Sequence, residues 1–398
     1  MCADKVKDKN LPQTPFYYYD TSLLARTLEA IQAETVGHDN YHVHYAIKAN
    51  AHPAILRQIA AAGFGADCVS GGEIKAAMAA GFKPEDIVFA GVGKADWEIR
   101  LALEAGIAML NVESIEELEV INEIATSLQT RARVSFRINP DVGAHTHAHI
   151  TTGSAENKFG ISKEDMISVI RKAEAMTGVE FMGLHFHIGS QLLLMDDFEA
   201  LCQRINELQQ QLDAEAITVP NINVGGGLGI DYHQPAVHPI PDFKSYFQTF
   251  AQRLNLRPGQ RVHFELGRSV VGQMGSLLTH VLYVKKGTEK KFVIVDAGFT
   301  DLIRPALYGA YHEVVNLSGE SRIARGEFSD CESERERYDV VGPICESSDI
   351  FQKDYLLPPT RRGDLLEIRS AGAYGETMAS CYNCRPLPNV YVTDHPLS

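Results

Sequence analysis

From His42 to Leu266 the chain keeps a regular beat: a short strand-like run, then a longer helical pattern, until eight strand-like runs have passed. The runs are His42 to Ala46, Ala66 to Val69, Asp86 to Ala90, Ala108 to Val112, Arg133 to Ile138, Phe181 to Ile188, Pro220 to Val224 and Arg261 to Leu266. Between them lie helical patterns at Ile55 to Ala62, Gly72 to Ala80, Asp96 to Ala105, Ile115 to Leu128, Lys163 to Ala175, Asp197 to Leu212 and Tyr246 to Leu254, and Leu23 to Thr35 leads in. Strands alternating with helices build a parallel sheet, because a parallel pair needs a long crossover and a helix supplies it. Eight such units predict an α/β fold, a closed (β/α)8 TIM-type barrel. An open doubly wound sheet is the alternative.

After Arg268 the texture changes. Leu277 to Val284, Phe292 to Val295, Tyr338 to Val341 and Leu365 to Ile368 are β-rich, with Gly and Pro and no clear helices between them. This predicts a barrel over 22–272 followed by a C-terminal all-β domain over 273–398, joined by the strand-like Phe16 to Tyr19 from the first 21 residues. The charged stretch Ser318 to Arg337 is expected to be an exposed loop. Two domains suit 398 residues, and 45% hydrophobic with 22% charged residues is a globular balance.

The net charge of -14 argues against nucleic acid and anionic membranes as partners. No apolar run is long enough to cross a bilayer, and Met1 to Asn10 lacks the apolar core of a signal peptide. Seven scattered cysteines, an odd number, do not make a disulfide framework. Together these favour a cytoplasmic protein, in which the sequon Asn316-Leu317-Ser318 carries no weight.

Barrel chemistry sits at the C-terminal strand ends. Here those ends carry Lys48, Asp67, Arg137, His187, Gly225 to Gly227, and Glu265 with Arg268. Lys48 closes the run Tyr45-Ala46-Ile47-Lys48, where an amine can lose its proton and form a Schiff base; a lysine snorkelling at a strand end is the blander reading. Gly225-Gly226-Gly227-Leu228-Gly229 follows the seventh strand, where barrels bind phosphate on backbone N–H groups; a tight turn is the alternative. Glu265 could hold a ring nitrogen protonated, and Arg268 could bind a phosphate or carboxylate. His185 and His187 share a face, which suits either a two-histidine metal site or a ring stacked on a flat cofactor, with Ser190 able to donate to a phosphate. No third metal ligand lies near them in sequence.

Other signals are weaker. His145, His147 and His149 alternate in a loop. Cys381-Tyr382-Asn383-Cys384 is a single C-x-x-C with no second pair for zinc and no thioredoxin-like setting. Gly91-Val92-Gly93-Lys94 fails the P-loop spacing, and Ala95 stands where Ser or Thr is needed.

Tyr45 to Asn50, His185 to Gln191, the glycine run and Glu265 to Arg268 together resemble the fold-type III pyridoxal-phosphate (PLP) decarboxylases, which include ornithine and arginine decarboxylases. The likeness runs from about Thr14 to Val392. It implies that Lys48 bonds the PLP aldehyde, His187 stacks on the ring and Glu265 faces the pyridine nitrogen. It sets Ser190, Gly227, Arg268 and Tyr374 around the phosphate or its edge, with Asp67, Glu73 and Arg137 as supporting groups. Asp301 to His312, Gly342 to Asp349, Ala373-Tyr374-Gly375 and Tyr382 to Pro386 are similar to the branch acting on diaminopimelate, the last step to lysine. That branch implies Arg268, Arg304 and Tyr308 for the far carboxylate, Glu346 for the far ammonium, and Tyr374 nearby. It also implies a homodimer with shared sites, to which the partner lends Cys345 and Glu346. Cys345 or Lys48 would return the proton to Cα. No metal is expected. Glu265-Leu266-Gly267-Arg268 departs from the family's Glu-Pro-Gly-Arg, which touches the loop more than the charges. The rivals are an ornithine, arginine or carboxynorspermidine decarboxylase, and a catalytically dead homologue that binds a regulatory protein.

Overall fold

Strand β1 (Phe16–Tyr19) and helix α1 (Thr21–Thr35) lie near the start of the computed structural model, which describes residues 12–142, 158–327 and 334–393. His145, His147 and His149 fall outside the described residues. The chain divides into two compact units. One comprises Thr27–Gly229 and Pro241–Val270; the other takes the described parts of Met1–Arg26, Ile230–Ile240 and Val271–Ser398.

The first unit is a closed barrel of eight parallel strands, so the open-sheet alternative falls. They are β2 (Tyr41–Ala46), β3 (Gly65–Cys68), β4 (Ile87–Phe89), β5 (Met109–Val112), β6 (Ala132–Arg137), β7 (Val179–His185), β8 (Asn221–Asn223) and β9 (Arg261–Leu266). Closure joins β9 to β2, in register from Tyr41 opposite Val262 to Tyr45 opposite Leu266. The helices are α2 (Pro53–Ala61), α3 (Gly71–Ala80), α4 (Asp96–Ala105), α5 (Ile115–Ser127), α6 (Met166–Glu174), α7 (Met195–Ala214) and α8 (Phe243–Arg253). Several start on side-chain caps: Ser70, Ser114 and Asp242 each accept a backbone N–H from three residues on.

Alternation along the strands sends apolar side chains out under the helices. Phe264 meets Tyr246, Phe247 and Phe250 of α8 at centroid distances of 5.9, 4.9 and 5.3 Å. Such aromatic contacts fix the helix more firmly than area alone. The inward face is polar: His44, Asp67, Asn111, Ser135, Arg137, His185, Asn221, Asn223, His263 and Glu265 are all buried. Barrels normally fill this space with Val, Ile and Leu, and buried polar groups are costly unless bonded. At the base, His44 Nδ1–H donates to the Asp86 carbonyl (3.1 Å), and His44 Nε2 lies 2.8 Å from His263 Nδ1. Burial pushes the His44 pKa down to about 4 against the pull of Glu265, and His263 goes well below its usual value for the same reason.

A short helix α9 (Arg268–Val271) ends the barrel sequence. The second unit contains a sheet ordered β12-β15-β10-β11-β13-β14, with β1 pairing β10 and β16. Its members are β10 (Gly275–Lys286), β11 (Lys291–Val295), β12 (Val314–Asn316), β13 (Glu336–Val341), β14 (Ile350–Leu357), β15 (Leu365–Ile368) and β16 (Asn389–Val392). The opening strand does join this sheet, Phe16 lying opposite Leu278. Phe16, Leu278, Leu317 and Leu365 form a core cluster.

The second unit is mostly sheet, as expected, but two finer readings change. The unit is not free of helices: α10 (Arg304–Tyr308) and α11 (Leu317–Ala324) interrupt the strands. Ser318 to Arg337 is not simply an exposed loop either, since it includes most of α11 and the start of β13. Its Arg322, only 2% exposed, makes a two-pronged pair with Asp364 at 2.7 and 2.8 Å. A charged residue read one position at a time looks solvated; a partner 42 residues away makes it internal. Asn316 caps α11 through Gly319 N–H and is fully buried, which rules the sequon out as a surface acceptor.

Candidate active site

The C-terminal ends of the barrel strands gather one connected set of polar side chains. Lys48 lies in a 3-10 turn directly after β2, and its Nζ donates to Asp67 Oδ2 at 2.7 Å. Asp67 sits inside β3 and is fully buried, while the Lys48 side chain is 40% exposed. Burial, then the charge of Glu265, pushes the Asp67 pKa up to about 6 against the pull of Lys48. Glu73 accepts the Val69 N–H (2.7 Å) in the first turn of α3, and burial raises it to about 7. Its visible role is local, tying the loop after β3 to the helix start.

Glu265, near the end of β9, is bonded by three side chains. His185 Nε2 lies 3.1 Å from one oxygen; Asn223 and Asn111 donate to the other at 2.7 and 3.3 Å. Burial alone would raise its pKa. The charge and hydrogen bond of His185, helped by Lys48, outweigh burial and hold it well below the carboxylate range. The barrel therefore carries a fixed negative charge in its interior.

His187 follows β7, and its Nδ1 accepts the Gly226 N–H at 3.3 Å. Desolvation, Arg137 and Lys48 lower its pKa to about 3, so the ring is neutral. Arg137 ends β6, pairs with Glu113 at 3.1 Å and packs over the Phe159 ring at 4.6 Å. Glu113 also accepts from Gly91 and Gly160 N–H groups. Arg268 Nη2 donates to Ser190 Oγ at 3.0 Å.

The glycine run is pressed between neighbouring backbones. A Cβ on Gly226 would come 1.8 Å from the Glu265 carbonyl oxygen, and Gly227 has φ +108° with the Gly189 carbonyl 2.7 Å from where its Cβ would stand. No side chain fits there, which leaves a bare loop beside Ser190 and Arg268. Leu266, where the family has proline, is fully buried and extends the ladder opposite Tyr45.

The other implied residues belong to the second unit. Arg304 opens α10, with its guanidinium over Tyr232 (5.4 Å) and Tyr308 (6.0 Å) and its Nε 3.4 Å from His312 Nε2. Cys345 and Glu346 stand exposed in the turn between β13 and β14. Tyr374 holds φ +56°.

The residues 23–272 match the family described as pyridoxal-dependent decarboxylase, pyridoxal binding domain. The chain belongs to the pyridoxal-dependent decarboxylase family. A curated relative from Bacteroides thetaiotaomicron, named diaminopimelate decarboxylase, is 63% identical over 382 residues, covering 96% of each chain. The crystal structure of diaminopimelate decarboxylase from Helicobacter pylori complexed with L-lysine superposes with a TM-score of 0.88 at 39% identity, covering 98% of this chain and 94% of that one. The M. jannaschii diaminopimelate decarboxylase in co-complex with L-lysine gives 0.85 at 36% identity, over 96% and 87%.

The family's cofactor is PLP, and the barrel residues fit it. They supply an amine at the mouth, a neutral ring, an ionised buried carboxylate, and a bare loop beside a hydroxyl and a guanidinium. Among the described residues, Asp67 Oδ1, Asn111 Oδ1 and His185 Nδ1 are buried without a hydrogen-bond partner, as the wall of a ligand site would leave them.

Asn111, Asn223, Glu113 and the His185–Glu265 contact escaped the sequence reading. The signal was present as a polar residue at an inward position of a buried strand, in Leu110-Asn111-Val112 and Ile222-Asn223-Val224.

Proposed function

We propose that this chain catalyses PLP-dependent decarboxylation of meso-2,6-diaminopimelate to L-lysine and CO2, the last step of lysine biosynthesis. The observation that carries the chemistry is the buried Glu265, clamped inside the barrel by His185, Asn111 and Asn223. Substrate choice rests on the full-length likeness to the B. thetaiotaomicron relative. Bound PLP supplies an electron sink for the pair left behind as the carboxylate departs.

The remaining work falls to the protein. Lys48 would hold the cofactor covalently through its amine. Glu265, held in its charged form, would face the pyridine nitrogen and favour its protonated state. His187, neutral, would stack on the ring. Ser190, Gly227, Arg268 and Tyr374 would hold the phosphate or its edge. Asp67, Glu73 and Arg137 orient the groups around them. Diaminopimelate carries an amino-acid group at each end, so its distal end needs both signs of charge. Arg268, Arg304 and Tyr308 take the distal carboxylate, and Glu346 the distal ammonium. Cys345 or Lys48 returns the proton to Cα. The active form is a homodimer with shared sites, completed by Cys345 and Glu346 of the partner subunit. The exposure of that turn supports the reading. We place the enzyme in the cytoplasm. Among the described residues no helix is long and apolar enough to cross a membrane, and the described cysteines are free thiols.

The test is CO2 release by the purified protein from meso-diaminopimelate, ornithine and arginine, with and without added PLP. Release from diaminopimelate alone, dependent on PLP, is expected. Release from ornithine or arginine but not diaminopimelate would overturn the substrate.

A further inference from the structure

The C-x-x-C of the second unit has no part in the chemistry above, yet its setting is specific. A 3-10 turn spans Tyr382–Cys384 with Cys381 at its N-cap, and both thiols are free and exposed. A turn of this kind brings the Cα atoms of its first and fourth residues within about 7 Å. Disulfides span Cα distances of roughly 4.4–6.8 Å. The turn is tethered on both flanks. Ser380 N–H donates to the Thr300 carbonyl at 2.9 Å, and Arg385 Nη2 donates to the Asp296 carbonyl at 2.5 Å. Between the tethers, Asn383 and Cys384 both take left-handed φ values, 55° and 57°, which non-glycine residues seldom adopt. The two cysteines are therefore held near each other by a backbone fixed from outside.

What lies between them gives the pair a consequence. Tyr382 stacks on Phe299 at 5.9 Å, and its hydroxyl donates to Glu346, the residue after Cys345. We propose that Cys381 and Cys384 are a reversible modification site: a low-molecular-weight disulfide oxidises them to an intrachain disulfide, which displaces Tyr382 and with it Glu346. One thiolate attacks a sulfur of the small disulfide and expels a thiolate, leaving a mixed disulfide. The second protein thiolate attacks the protein-side sulfur and expels the other half. Two protein thiols are oxidised, one small disulfide is reduced to two thiols, and the two protons end on those thiols. Bridging holds the Cβ atoms about 3.8 Å apart and constrains the peptide units that carry Tyr382 between them.

The effect on catalysis rests on the proposed role of Glu346; the effect on the thiols does not. Holoenzyme is equilibrated in glutathione and glutathione disulfide at rising ratios, alkylated, and mapped by mass spectrometry while CO2 release from meso-diaminopimelate is followed. A 381–384 linked peptide is expected, with a roughly tenfold rise in KM from the lost contact to the distal ammonium. Dithiothreitol should reverse both, and Cys381→Ser/Cys384→Ser should keep reduced-state kinetics at every ratio. Full alkylation of both thiols under oxidising conditions overturns the site. A linked peptide with unchanged KM overturns its coupling to Glu346. A rise in KM that persists in the double variant assigns the sensitivity to Cys345 and overturns the proposal. If the protein does not turn over diaminopimelate at all, peptide mapping still decides on the disulfide, so that failure is told apart from this one.

Discussion

Glu265 illustrates how a single side chain acquires its character from its contacts. Isolated in an apolar interior, a carboxyl would take up a proton and lose its charge. Here one oxygen faces His185 and the other accepts from two asparagines, so the charged form is the bonded form. Replacing it by Gln keeps the shape and removes the charge. Glu265→Gln is therefore expected to retain bound cofactor, read as its absorbance, and to lose kcat for CO2 release by about a hundredfold or more, the scale of one electrostatic contact in a catalytic site. Loss of cofactor absorbance together with activity would instead mean that Glu265 is needed for binding. Lys48, His187 and Arg268 were legible as site candidates from their positions at strand ends. His185 was visible only as a histidine on the same face as His187, because its partner is 80 residues away.

At the level of elements, the barrel and the sheet unit differ in how much their local sequence reveals. Barrel strands and helices carry strong periodicity and clear caps, and all eight strand-like runs reappear within a few residues. The sheet unit hides strands such as β14, Ile350-Phe351-Gln352-Lys353-Asp354-Tyr355-Leu356-Leu357, behind the adjacent exposed charges Lys353 and Asp354. Helix α11 was hidden for the opposite reason, since its Arg322 is charged and internal. Removing one member of a buried pair leaves an uncompensated charge, which costs about 3–5 kcal/mol. Arg322→Ala should lower unfolding free energy by that order in a denaturant titration. A change of a few tenths would mean that the pair is not closed in solution.

Two expectations belong to the whole molecule. The first concerns acid. His44 is neutral in the fold, with a pKa of about 4 against 6.5 for a free side chain. The unfolded chain therefore binds a proton first, so this contribution is intact above 6.5 and is lost as pH falls towards 4. Asp67 and Glu73 are raised, to about 6 and about 7, and act with the opposite sign, gaining stability on acidification. Comparing His44→Gln with the parent cancels those common terms. The variant's stability relative to the parent should rise between pH 6.5 and 4, by up to about 3 kcal/mol. A pH-independent difference would show that folding leaves the His44 pKa unchanged. The second concerns assembly. If sites are shared, mixing Lys48→Ala protein with Cys345→Ala protein restores part of the activity that each lacks, because one site in the mixed dimer receives both native residues. No recovery, with mixed dimers verified by mass, would count against shared sites.

The amino-acid sequence by itself determined the eightfold βα alternation, the change to β-rich texture after Arg268, and the chemical groups at the strand ends. All of these are properties of neighbours along the chain. Only the tertiary structure decided which polar residues meet: His185, Asn223 and Asn111 on Glu265, Glu113 on Arg137, Arg322 on Asp364. Closure of the barrel and pairing of distant strands bring those groups within hydrogen-bond reach. Reach across a closed sheet depends on register and curvature, which no local pattern encodes.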